Sequence, residues 1–386
     1  MSSPVGGENL EVRILDKLSG VDVQAWDKLA GQDPFLRHGF LSGLEETDCL
    51  QAQGWYPQHL AIFRDQVLCA AMPLYVRDNS YGEFVFDWSW ADAYERAGGH
   101  YYPKLVTAIP FSPVTGRRLL VADDLPDRKM LLDVLTSAGV KACEDNNLSS
   151  WHCLFPEESE LEHFESANLM LRLGCQYHWF NHEYQDFDHF LAQLTSKKRK
   201  QIKRERRRVA EQDVVIETLV GDEISTHQWE VFHRFYCSTF LRKWGEPRLT
   251  LEFFETLNDR LPGVPMLILA KSGTEYVAGA FALIGGDTLY GRHWGCTSRF
   301  DNLHFELCYY RTIDFCIEHG LKRLDAGAQG EHKLSRGFVP IKTWSAHWIR
   351  DPGFRRAVDD FLQQERGALS QYIHGLDNHV AFRQSD

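Results

Sequence analysis

The sequence predicts an α/β protein of the α+β type, with two similar domains whose mixed, mainly antiparallel sheets are flanked by helices. The chain has 386 residues, which is long for a single hydrophobic core and favours two domains. Its composition, with 44% hydrophobic and 25% charged residues, is typical of a globular protein. The same order of helix, strands and turns occurs in both halves at a spacing of about 206 residues. This repeat predicts two related domains in tandem.

The first copy of the repeat begins with a helical stretch at 35–46. The apolar run 60–63 then predicts a strand, and a polar turn separates it from a second apolar run at 67–76. A further turn leads to 84–88, which we interpret as a third strand ending at Trp88. We therefore expect a helix followed by three strands in this half.

The second copy has the same order, with a third strand that ends at Trp294. Its helix is predicted at 228–240 and its strands at 267–270, 276–284 and 289–294. After it the hydrophobic spacing and the glycines predict a helix at 305–319, a strand at 321–325, a glycine-rich loop at 326–330, a strand at 344–349 and a last helix at 355–370.

A basic segment, 197–208, lies between the two halves after a short predicted helix at 187–194. Nine of its twelve residues are Lys or Arg and one is Glu, so it carries a local charge of +8 in a chain of net charge −12. The rest of the chain therefore sums to −20, and such an acidic body repels polyanions over most of its surface. We interpret the segment as a site for a confined anionic group. A solvated helix face is the alternative, although such a face usually carries alternating charges.

Helical spacing divides this basic segment into two sides. Ile202 and Val209 lie seven residues apart on one stripe, which we expect to rest on the protein. Arg199, Lys203 and Arg206 are then expected to share an exposed side. The residues that we predict to hold the phosphates of a cofactor are Lys198, Arg199, Lys203, Arg206 and Arg207.

The cysteines and the apolar runs indicate the compartment. The nine cysteines form no CxxC pair, and their odd number argues against a complete disulfide framework. No apolar run approaches the length of a membrane span, and residues 1–7 lack the pattern of a secretory signal. We expect a reduced, cytoplasmic protein. A metal site is not expected, because His178 and His182, four residues apart on a strand, lie too far apart for easy chelation.

The segment from Asp325 to Lys333 is the best catalytic candidate. Asp325 ends a predicted strand, and glycines after it allow backbone N–H groups to approach a ligand closely. Glu331 or His332 is placed to take a proton from a substrate near neutral pH. Gln329 and Lys333 are expected to contact the substrate. The alternative is that Glu331 and Lys333 are solvated loop residues and Asp325 caps a turn.

The ends of the two matching third strands are candidate substrate sites. In the first half, Asp87, Trp88, Trp90 and Tyr94 combine aromatic rings with a carboxylate, which suits a sugar or peptide and an ammonium group. A packed domain interface explains these aromatic residues equally well.

In the second half, Arg292, His293 and Trp294 hold the matching position, and a ligand carboxylate or phosphate is one candidate partner for them. Glu306 and Tyr309 share one face of the following helix. Glu306 is expected to contact the substrate. Tyr309 is a candidate to reprotonate a leaving group, and a structural hydrogen bond is the alternative role for its hydroxyl.

Longer motifs extend over most of the chain. They occupy 190–206, 291–296, 303–310, 326–334 and 336–348 in the second half, and 86–94 and 110–118 in the first. Together they resemble FemAB-like acyltransferases, and in particular the bacterial subgroup described as predicted N-acyltransferases of peptidoglycan biosynthesis or recognition. The resemblance runs from about residue 35 to residue 365.

The resemblance implies two tandem domains of the GNAT acyltransferase fold, which we place at 1–185 and 186–386. It implies an N-acyltransferase without a tightly bound cofactor, whose co-substrate is acyl-CoA or aminoacyl-tRNA. The acceptor is then an amine on a small metabolite or a cell-wall precursor. Direct transfer needs no covalent intermediate, in agreement with the lack of a GxSxG motif. The rival interpretation is a non-catalytic module that binds a cell-wall precursor or RNA.

Overall fold

The computed structural model describes residues 10–242, 245–297, 300–328, 330–376 and 381–383. Within these residues the strands, in chain order, are β1 (Leu10–Leu15), β2 (Trp55–Pro57), β3 (His59–Arg64), β4 (Val67–Met72), β5 (Tyr75–Arg77), β6 (Lys104–Thr107), β7 (Leu120–Val121), β8 (Ser150–Leu154), β9 (Met170–Phe180), β10 (Val214–Val220), β11 (Pro265–Ser272), β12 (Glu275–Gly285), β13 (Thr288–Cys296), β14 (Arg323–Asp325) and β15 (Val339–Ile349).

The helices alternate with these strands along the chain. They are α1 (Val23–Ala30), α2 (His38–Glu46), α3 (Trp88–Arg96), α4 (Arg128–Asp145), α5 (Leu161–Ser166), α6 (Phe187–Gln193), α7 (Ser196–Ala210), α8 (Thr226–Leu241), α9 (Leu251–Arg260), α10 (Leu303–Phe305), α11 (Arg311–Glu318) and α12 (Pro352–Leu376). A π-helical turn, Glu306–Tyr310, joins α10 to α11, and a 3-10 turn spans Glu331–Arg336. No helix among the described residues combines the length and the apolar character that crossing a membrane requires.

The chain forms two compact units, and neither is a single continuous segment. Unit 1 comprises Met1–Gly174 and Thr343–Ala368, and unit 2 comprises Cys175–Lys342 and Leu369–Asp386. The chain therefore passes from one unit to the other within β9, within β15 and within α12. In the division predicted from the sequence, at 1–185 and 186–386, the chain would cross between domains once, whereas it crosses between the two units three times.

Unit 1 contains two groups of paired strands. β1, β3, β4 and β7 are antiparallel neighbours in that order. In the other group β2 pairs with β5, β5 with β6, β6 with β8, and β8 with Ser345–Ile349 of β15. Trp151 of β8 and Trp348 of β15 are buried with the apolar side of α4 in one core. The returning segment of β15 thus completes unit 1 by pairing with β8.

Unit 2 is built on an antiparallel meander of β10, β11, β12 and β13. β14 pairs parallel with β13 and antiparallel with the end of β9. Aromatic side chains such as Trp229 and Phe281 pack α8 and α9 on the meander. A second core, which includes Trp179, Ile202 and Ile313, packs α6, α7 and α11 on the strands.

Local sequence explains where α8 begins and how closely it packs. Ser225 caps the helix: its side chain accepts a hydrogen bond from the backbone N–H of Gln228, and the side-chain oxygen of Gln228 accepts one from the backbone N–H of Ser225. Gly295 of β13 then allows the backbone of α8 to approach, because a Cβ atom there would lie 2.1 Å from the carbonyl oxygen of Phe235. A larger residue at this position would displace α8 from the strand.

The prediction of a third strand at 84–88 is wrong. These residues belong to no strand, and Trp88 begins α3, whereas Trp294 lies in β13 as predicted. The physical reason is a buried lysine, because Glu83 and Asp87 turn inward to bind the Lys104 ammonium group. Hydrophobic spacing within the segment could not reveal this requirement. The repeat is therefore less regular in the first half than in the second.

The predicted elements of the second half are confirmed with altered limits. The helix at 305–319 is present, but a π-helical turn interrupts it at Glu306–Tyr310. The strand at 321–325 is shortened to Arg323–Asp325, and the strand at 344–349 is part of the longer β15. The predicted α/β class, with antiparallel strands flanked by helices, agrees with this architecture.

Candidate active site

The neighbouring strands β13 and β14 separate in the middle of unit 2. Residues Thr288–Tyr290 of β13 pair with Arg323–Asp325 of β14. Beyond this short pairing β13 continues as a strand, whereas β14 ends and leads into the loop at 326–328. The opening beside them holds a narrow cavity of about 90 Å³. It is lined by Met266, Ile268, Ala280, Phe281, Ala282, Gly291, Arg292, His293, Trp294, His304, Cys308, Tyr309, Thr312 and Ala326. The cavity thus combines an apolar floor with a guanidinium, imidazoles and a phenol.

A β-bulge in the β12–β13 pair sets the direction of Arg292. The register shifts at Phe281/Ala282, so Arg292 has no direct partner on β12. Its guanidinium donates to both carboxylate oxygens of Asp325, at 3.3 and 3.0 Å. The Gly327 backbone N–H also donates to Asp325, at 2.9 Å. The ion pair therefore fixes the start of the glycine-rich loop.

These contacts decide the charge of Asp325. Burial raises the pKa of this carboxyl, but the positive charge of Arg292 and the hydrogen bonds outweigh burial and hold the pKa well below its usual range. A carboxylate with so low a pKa is a weak base. The contacts of Asp325 are those of a residue that positions the loop, and its predicted part in proton transfer stays a prediction.

Lys333 is buried on the other side of the same loop. Its ammonium group donates to the Gly327 carbonyl oxygen at 2.5 Å. Burial and the charge of Arg292 lower the pKa of Lys333 to about 8, although Asp325 opposes them. Arg292, Asp325 and Lys333 thus hold Gly327 by both its N–H and its carbonyl. The predicted Gln329, in the same loop, lies outside the described residues.

Tyr309 and His332 form a pair of titratable groups next to the cavity. Tyr309 belongs to the π-helical turn and lines the cavity, and its hydroxyl lies 2.9 Å from Nε2 of His332. Desolvation, with the charges of Arg336 and Lys333, lowers the pKa of His332, so its imidazole is neutral at pH 7. Burial raises the pKa of Tyr309, which keeps the phenol protonated. Both side chains are therefore neutral at rest, and a proton can pass between the Tyr309 oxygen and Nε2 of His332 during a reaction.

The other predicted residues of this unit have separate contacts. Glu331 is exposed and accepts a hydrogen bond from the Tyr372 hydroxyl of α12. The ring of His293 packs on those of Phe281 and Tyr236, and desolvation with the charges of Arg292 and Arg248 lowers its pKa to about 3. His293 is thus a neutral, packed wall of the cavity.

Trp294 and Glu306 also have defined places. Trp294 lines the cavity and makes an edge-to-face contact with His304, at 5.2 Å between ring centroids. Glu306 is buried at the first position of the π-helical turn and accepts from Arg206 at 3.0 Å. Glu306 therefore anchors the turn to α7.

The basic segment forms α7, as predicted, with Ile202, Glu205 and Val209 as its buried side. Lys203 is exposed and pairs with Asp188 at 2.8 Å, and Arg207 is exposed and lies 3.7 Å from Glu211. Lys198 and Arg199 are half-buried. Exposed basic residues of α7 without an ion pair in the described part of the chain are Lys197, Lys200, Arg204 and Arg208.

The expectation that Arg206 is exposed is wrong. Its guanidinium is half-buried over the Phe187 ring and also donates to Asp314 at 2.7 Å. Burial lowers the pKa of Arg206, but Glu306 and Asp314 outweigh it and raise the pKa. The prediction used only the spacing of residues within α7, and this spacing gives no information about carboxylates on the helical segment that packs against α7. The predicted part of Arg206 in donor binding stays a prediction.

Glu205 is a residue of this region that sequence reasoning missed. It is the one acidic residue in the basic segment, and that isolation is the signal that could have found it. Its carboxylate accepts from both Tyr310 and Arg336, the latter at 3.0 and 3.1 Å. Arg336 also donates to the backbone carbonyl of His332 at 2.9 Å. Glu205 thus connects α7 to the two turns that carry Tyr309 and His332.

The predicted substrate residues of the first half lie in unit 1. Asp87 is buried and pairs with Lys104 at 2.5 Å; burial raises its pKa, but Lys104 and His152 outweigh burial and hold it below its usual range. Trp90 is buried against the imidazole of His347, and Tyr94 packs on the Phe354 ring. Trp88, in contrast, is half-exposed, at 49%. Of this set, Trp88 presents the most surface to a ligand.

A buried polar network in unit 1 was also missed. The Lys104 ammonium group, fully buried, binds Ser80, Glu83 and Asp87 at 2.5–2.8 Å. Next to it, Nδ1 of His152 lies 2.6 Å from Nδ1 of His347 on the paired strand. Desolvation and Lys104 lower the pKa of His152 to about 3, so that ring is neutral. A lysine that directly precedes Leu105–Thr107 was the available signal for a buried charge.

Comparison with known proteins places this architecture in a family. A family model for FemAB-like proteins, described as peptidoglycan biosynthesis/recognition, matches residues 17–384. No curated protein matches the chain in sequence. Among solved structures, FemX is 12% identical with a TM-score of 0.51, and the match covers 82% of this chain and 93% of that chain.

Two further solved structures are similar over a comparable length. The C-terminal domain of a putative lysylphosphatidylglycerol synthetase from Agrobacterium fabrum is 8% identical, with a TM-score of 0.54 and coverage of 88% of this chain and 95% of that chain. L-PGS from Bacillus licheniformis is 10% identical, with a TM-score of 0.50 and coverage of 83% and 95%. At these identities the likeness concerns the fold, and it confirms the predicted fold class.

The family match spans nearly the whole chain, so the resemblance seen in the sequence motifs is confirmed. The chain belongs to the FemAB-like family of peptidoglycan biosynthesis or recognition.

Proposed function

We propose that this protein transfers an acyl or aminoacyl group directly from a phosphate-bearing donor to the nitrogen of an amine. The observation that carries the proposal is the Tyr309–His332 pair, whose phenol lines the cavity beside the separating strands. The donor is a thioester of CoA or an ester of tRNA, and the acceptor is an amine on a cell-wall precursor or a small metabolite. Family membership supports the cell-wall acceptor.

The Tyr309–His332 pair provides a closed path for the proton. As the amine attacks the donor carbonyl, its proton passes to the Tyr309 oxygen while the phenol proton passes to Nε2 of His332. The tetrahedral intermediate then collapses, the carbon–sulfur or carbon–oxygen bond breaks, and the new amide remains. The return of the proton from His332 through Tyr309 leaves the departing thiol or hydroxyl neutral. The low pKa of His332 makes its imidazolium a good acid for this return.

Arg292 supplies the positive charge that such a reaction needs. Arg292 lines the cavity, where its guanidinium is placed to stabilise the negative charge on the carbonyl oxygen. Its bond with Asp325 holds it there before the substrate arrives. Lys333 fixes the Gly327 carbonyl, so that the loop does not move when the donor binds. Asp325 and Lys333 act as positioning residues in this scheme.

The exposed side of α7 supports a donor with phosphate groups. Lys197, Lys200, Arg204 and Arg208 extend along it, and the remainder of the chain is acidic. A polyanion is therefore favoured at this helix and disfavoured over most of the surface. Glu205 connects the same helix to the turns with Tyr309 and His332, which keeps the donor site in a fixed relation to the proton path.

A thermal-shift experiment on the whole chain tests the donor class. A panel of CoA thioesters, free CoA and bulk tRNA is added to the wild type and to the double variant Lys200→Glu/Arg204→Glu. A ligand at about a hundred times its Kd stabilises the fold by about 2.7 kcal/mol, so one class should shift the wild type clearly. The double variant should lose most of that shift, whereas Lys141→Glu, an exposed control in unit 1, should keep it.

The outcomes separate the proposal from its rivals. An equal shift in the wild type and in the double variant would show that α7 is not the donor site. If neither CoA thioesters nor tRNA changed the unfolding temperature of the wild type, both donor classes would be excluded. Binding without any transfer to amine acceptors would instead favour the non-catalytic module for a cell-wall precursor or RNA.

A further inference from the structure

Strand β1 of unit 1 has a free edge and an exposed apolar side. All six of its residues pair with β3 on one edge, and no described residue pairs with the other edge. Its alternate side chains Leu10, Val12 and Ile14 are 37%, 46% and 54% exposed. An edge strand of this length with apolar side chains is a template for pairing with another strand. The proton path of the proposed reaction does not involve β1.

The apolar side of β1 continues the core of unit 1. Val12 lies opposite Ile62 of β3, and Ile14 lies opposite Leu60, so these four side chains share one face of the sheet. Leu60 and Ile62 are buried in the core to which α4 contributes. The core face therefore extends to β1 and becomes exposed there. Contiguous apolar surface of this kind indicates contact with another protein chain.

β1 lacks the features that usually keep edge strands apart. Such strands often carry a lysine, a proline or a β-bulge. β1 contains neither lysine nor proline, and its register with β3 is unbroken from Leu10 to Leu15. Its charged residues, Glu11 and Arg13, lie on the other face and are 2.5 Å apart in an exposed ion pair. With one charge of each sign, this edge does not repel a second strand of the same sequence.

The sequence of β1 is complementary to itself when two copies run antiparallel. With a two-fold axis at Val12, Glu11 of each copy lies opposite Arg13 of the other, and Leu10 lies opposite Ile14. Opposite charges then face each other twice on one side of the sheet, and apolar side chains pair on the other side. A register centred on Glu11 or on Arg13 would instead place like charges opposite each other, and so would parallel pairing in register.

We infer that β1 is a dimer contact, at which two copies of this chain join their four-stranded sheets by antiparallel pairing centred on Val12. The contact is isologous and uses the β1 edge of both copies, so assembly stops at two copies. The opposite edge of the same sheet is β7, whose two residues offer little backbone for further pairing. The dimer requires neither donor nor acceptor, and it is independent of the proposed function.

Sedimentation velocity of the full chain over a concentration series tests the dimer. The wild type should change from monomer to dimer as the concentration rises. Val12→Lys places two ammonium groups opposite each other at the axis and should weaken the dimer about tenfold or more. Val23→Lys introduces the same charge at a side chain of α1 that is 50% exposed, and it should leave the dimer unchanged. Thermal melts check that both variants are folded.

Charge reversal tests the register. Glu11→Arg and Arg13→Glu each place like charges opposite each other twice, so each variant should self-associate about tenfold more weakly than the wild type. A mixture of these two variants should form a heterodimer, because opposite charges face each other again. The double variant Glu11→Arg/Arg13→Glu should dimerise like the wild type for the same reason. A contact elsewhere on the chain would leave all these variants equal.

Four results would overturn the inference. The first is a wild type that stays monomeric over the whole series, and the second is equal dimerisation of the wild type and Val12→Lys. The third is growth beyond the dimer, which would show open-ended pairing. The fourth concerns residues 2–8, which lie outside the described residues. Their deletion should leave the dimer in place, and its loss would assign the contact to that segment instead of β1.

Discussion

At the scale of single residues, the charge of the buried Lys333 amine depends on pH just above neutrality. Its pKa falls from the ordinary 10.5 to about 8, because burial and Arg292 disfavour the ammonium form. Between these two values the unfolded chain binds more protons at this residue than the folded chain. The free energy of unfolding should therefore rise with pH from about 8 to 10.5 through this group.

The variant Lys333→Met isolates that contribution. We expect urea unfolding at pH 7.5, 9 and 10 to show a smaller rise of stability in the variant than in the wild type. Methionine has a similar length and no titratable group, so the difference between the two chains belongs to the amine. Parallel pH dependences in the two chains would show that Lys333 keeps an ordinary pKa.

The hydroxyl of Tyr309 can be removed with little change of shape. Tyr309→Phe should cost about 1 kcal/mol of stability, since one hydrogen bond to His332 is lost. If the phenol carries the proton, kcat should fall about 10²–10⁴-fold while donor affinity stays unchanged.

Histidine NMR provides a readout of Tyr309→Phe without a substrate. In the tautomer that the proposed proton path requires, the phenol donates to Nε2 of His332, and this bond favours the uncharged imidazole. The pKa of His332 should therefore rise in the variant. An unchanged pKa together with unchanged kcat would remove Tyr309 from the mechanism.

Individual residues also show how far sequence reasoning reached. His332 and Arg292 were predicted as site residues because polar residues at the ends of strands and after glycines are accessible to ligands, and their roles stay predictions. Arg206 was misplaced and Glu205 was missed, because the burial of a charge depends on carboxylates and phenols of other elements. Spacing within one helix carries no information about those partners.

At the scale of elements, α7 combines an exposed cationic side with a buried carboxylate. Glu205→Gln leaves Arg336 buried without its counter-charge, and breaking such a pair costs about 3–5 kcal/mol. Glu211→Gln at the C-cap of α7 should change stability by less than about 1 kcal/mol, because the pair with Arg207 is exposed. Urea unfolding of the two variants measures the difference. Similar small effects would mean that Glu205 does not hold α7 in place.

The elements of unit 2 were predicted well because their hydrophobic patterns suffice. Strands such as β11 and β12 are apolar runs bounded by glycine turns, and α8 begins at a capping box. The π-helical turn and the β-bulge were not predicted, since both are small insertions whose cause lies in packing. Both contribute side chains to the cavity, so the fold was more accessible from the sequence than the geometry of the site.

At the scale of the whole molecule, the division into units makes a prediction about fragments. A fragment of residues 1–185 lacks Ser345–Ile349, the partner of β8, and also Trp348 and Leu362 of the unit 1 cores. We expect this fragment to be unfolded by circular dichroism and amide NMR. Residues 1–174 joined to 343–368 by a flexible linker should fold cooperatively. A folded 1–185 fragment would instead support the domain division expected from the sequence.

The return of β15 to β8 also affects how the protein is made. A ribosome that has released residues 1–174 must still synthesise all of 175–342 before the missing strand of unit 1 emerges. At ordinary rates of translation this interval is roughly 10–30 s, during which the apolar residues that face β15 remain open to aggregation. The unit that begins first is therefore completed late, and the nascent chain is expected to need chaperone protection during that interval.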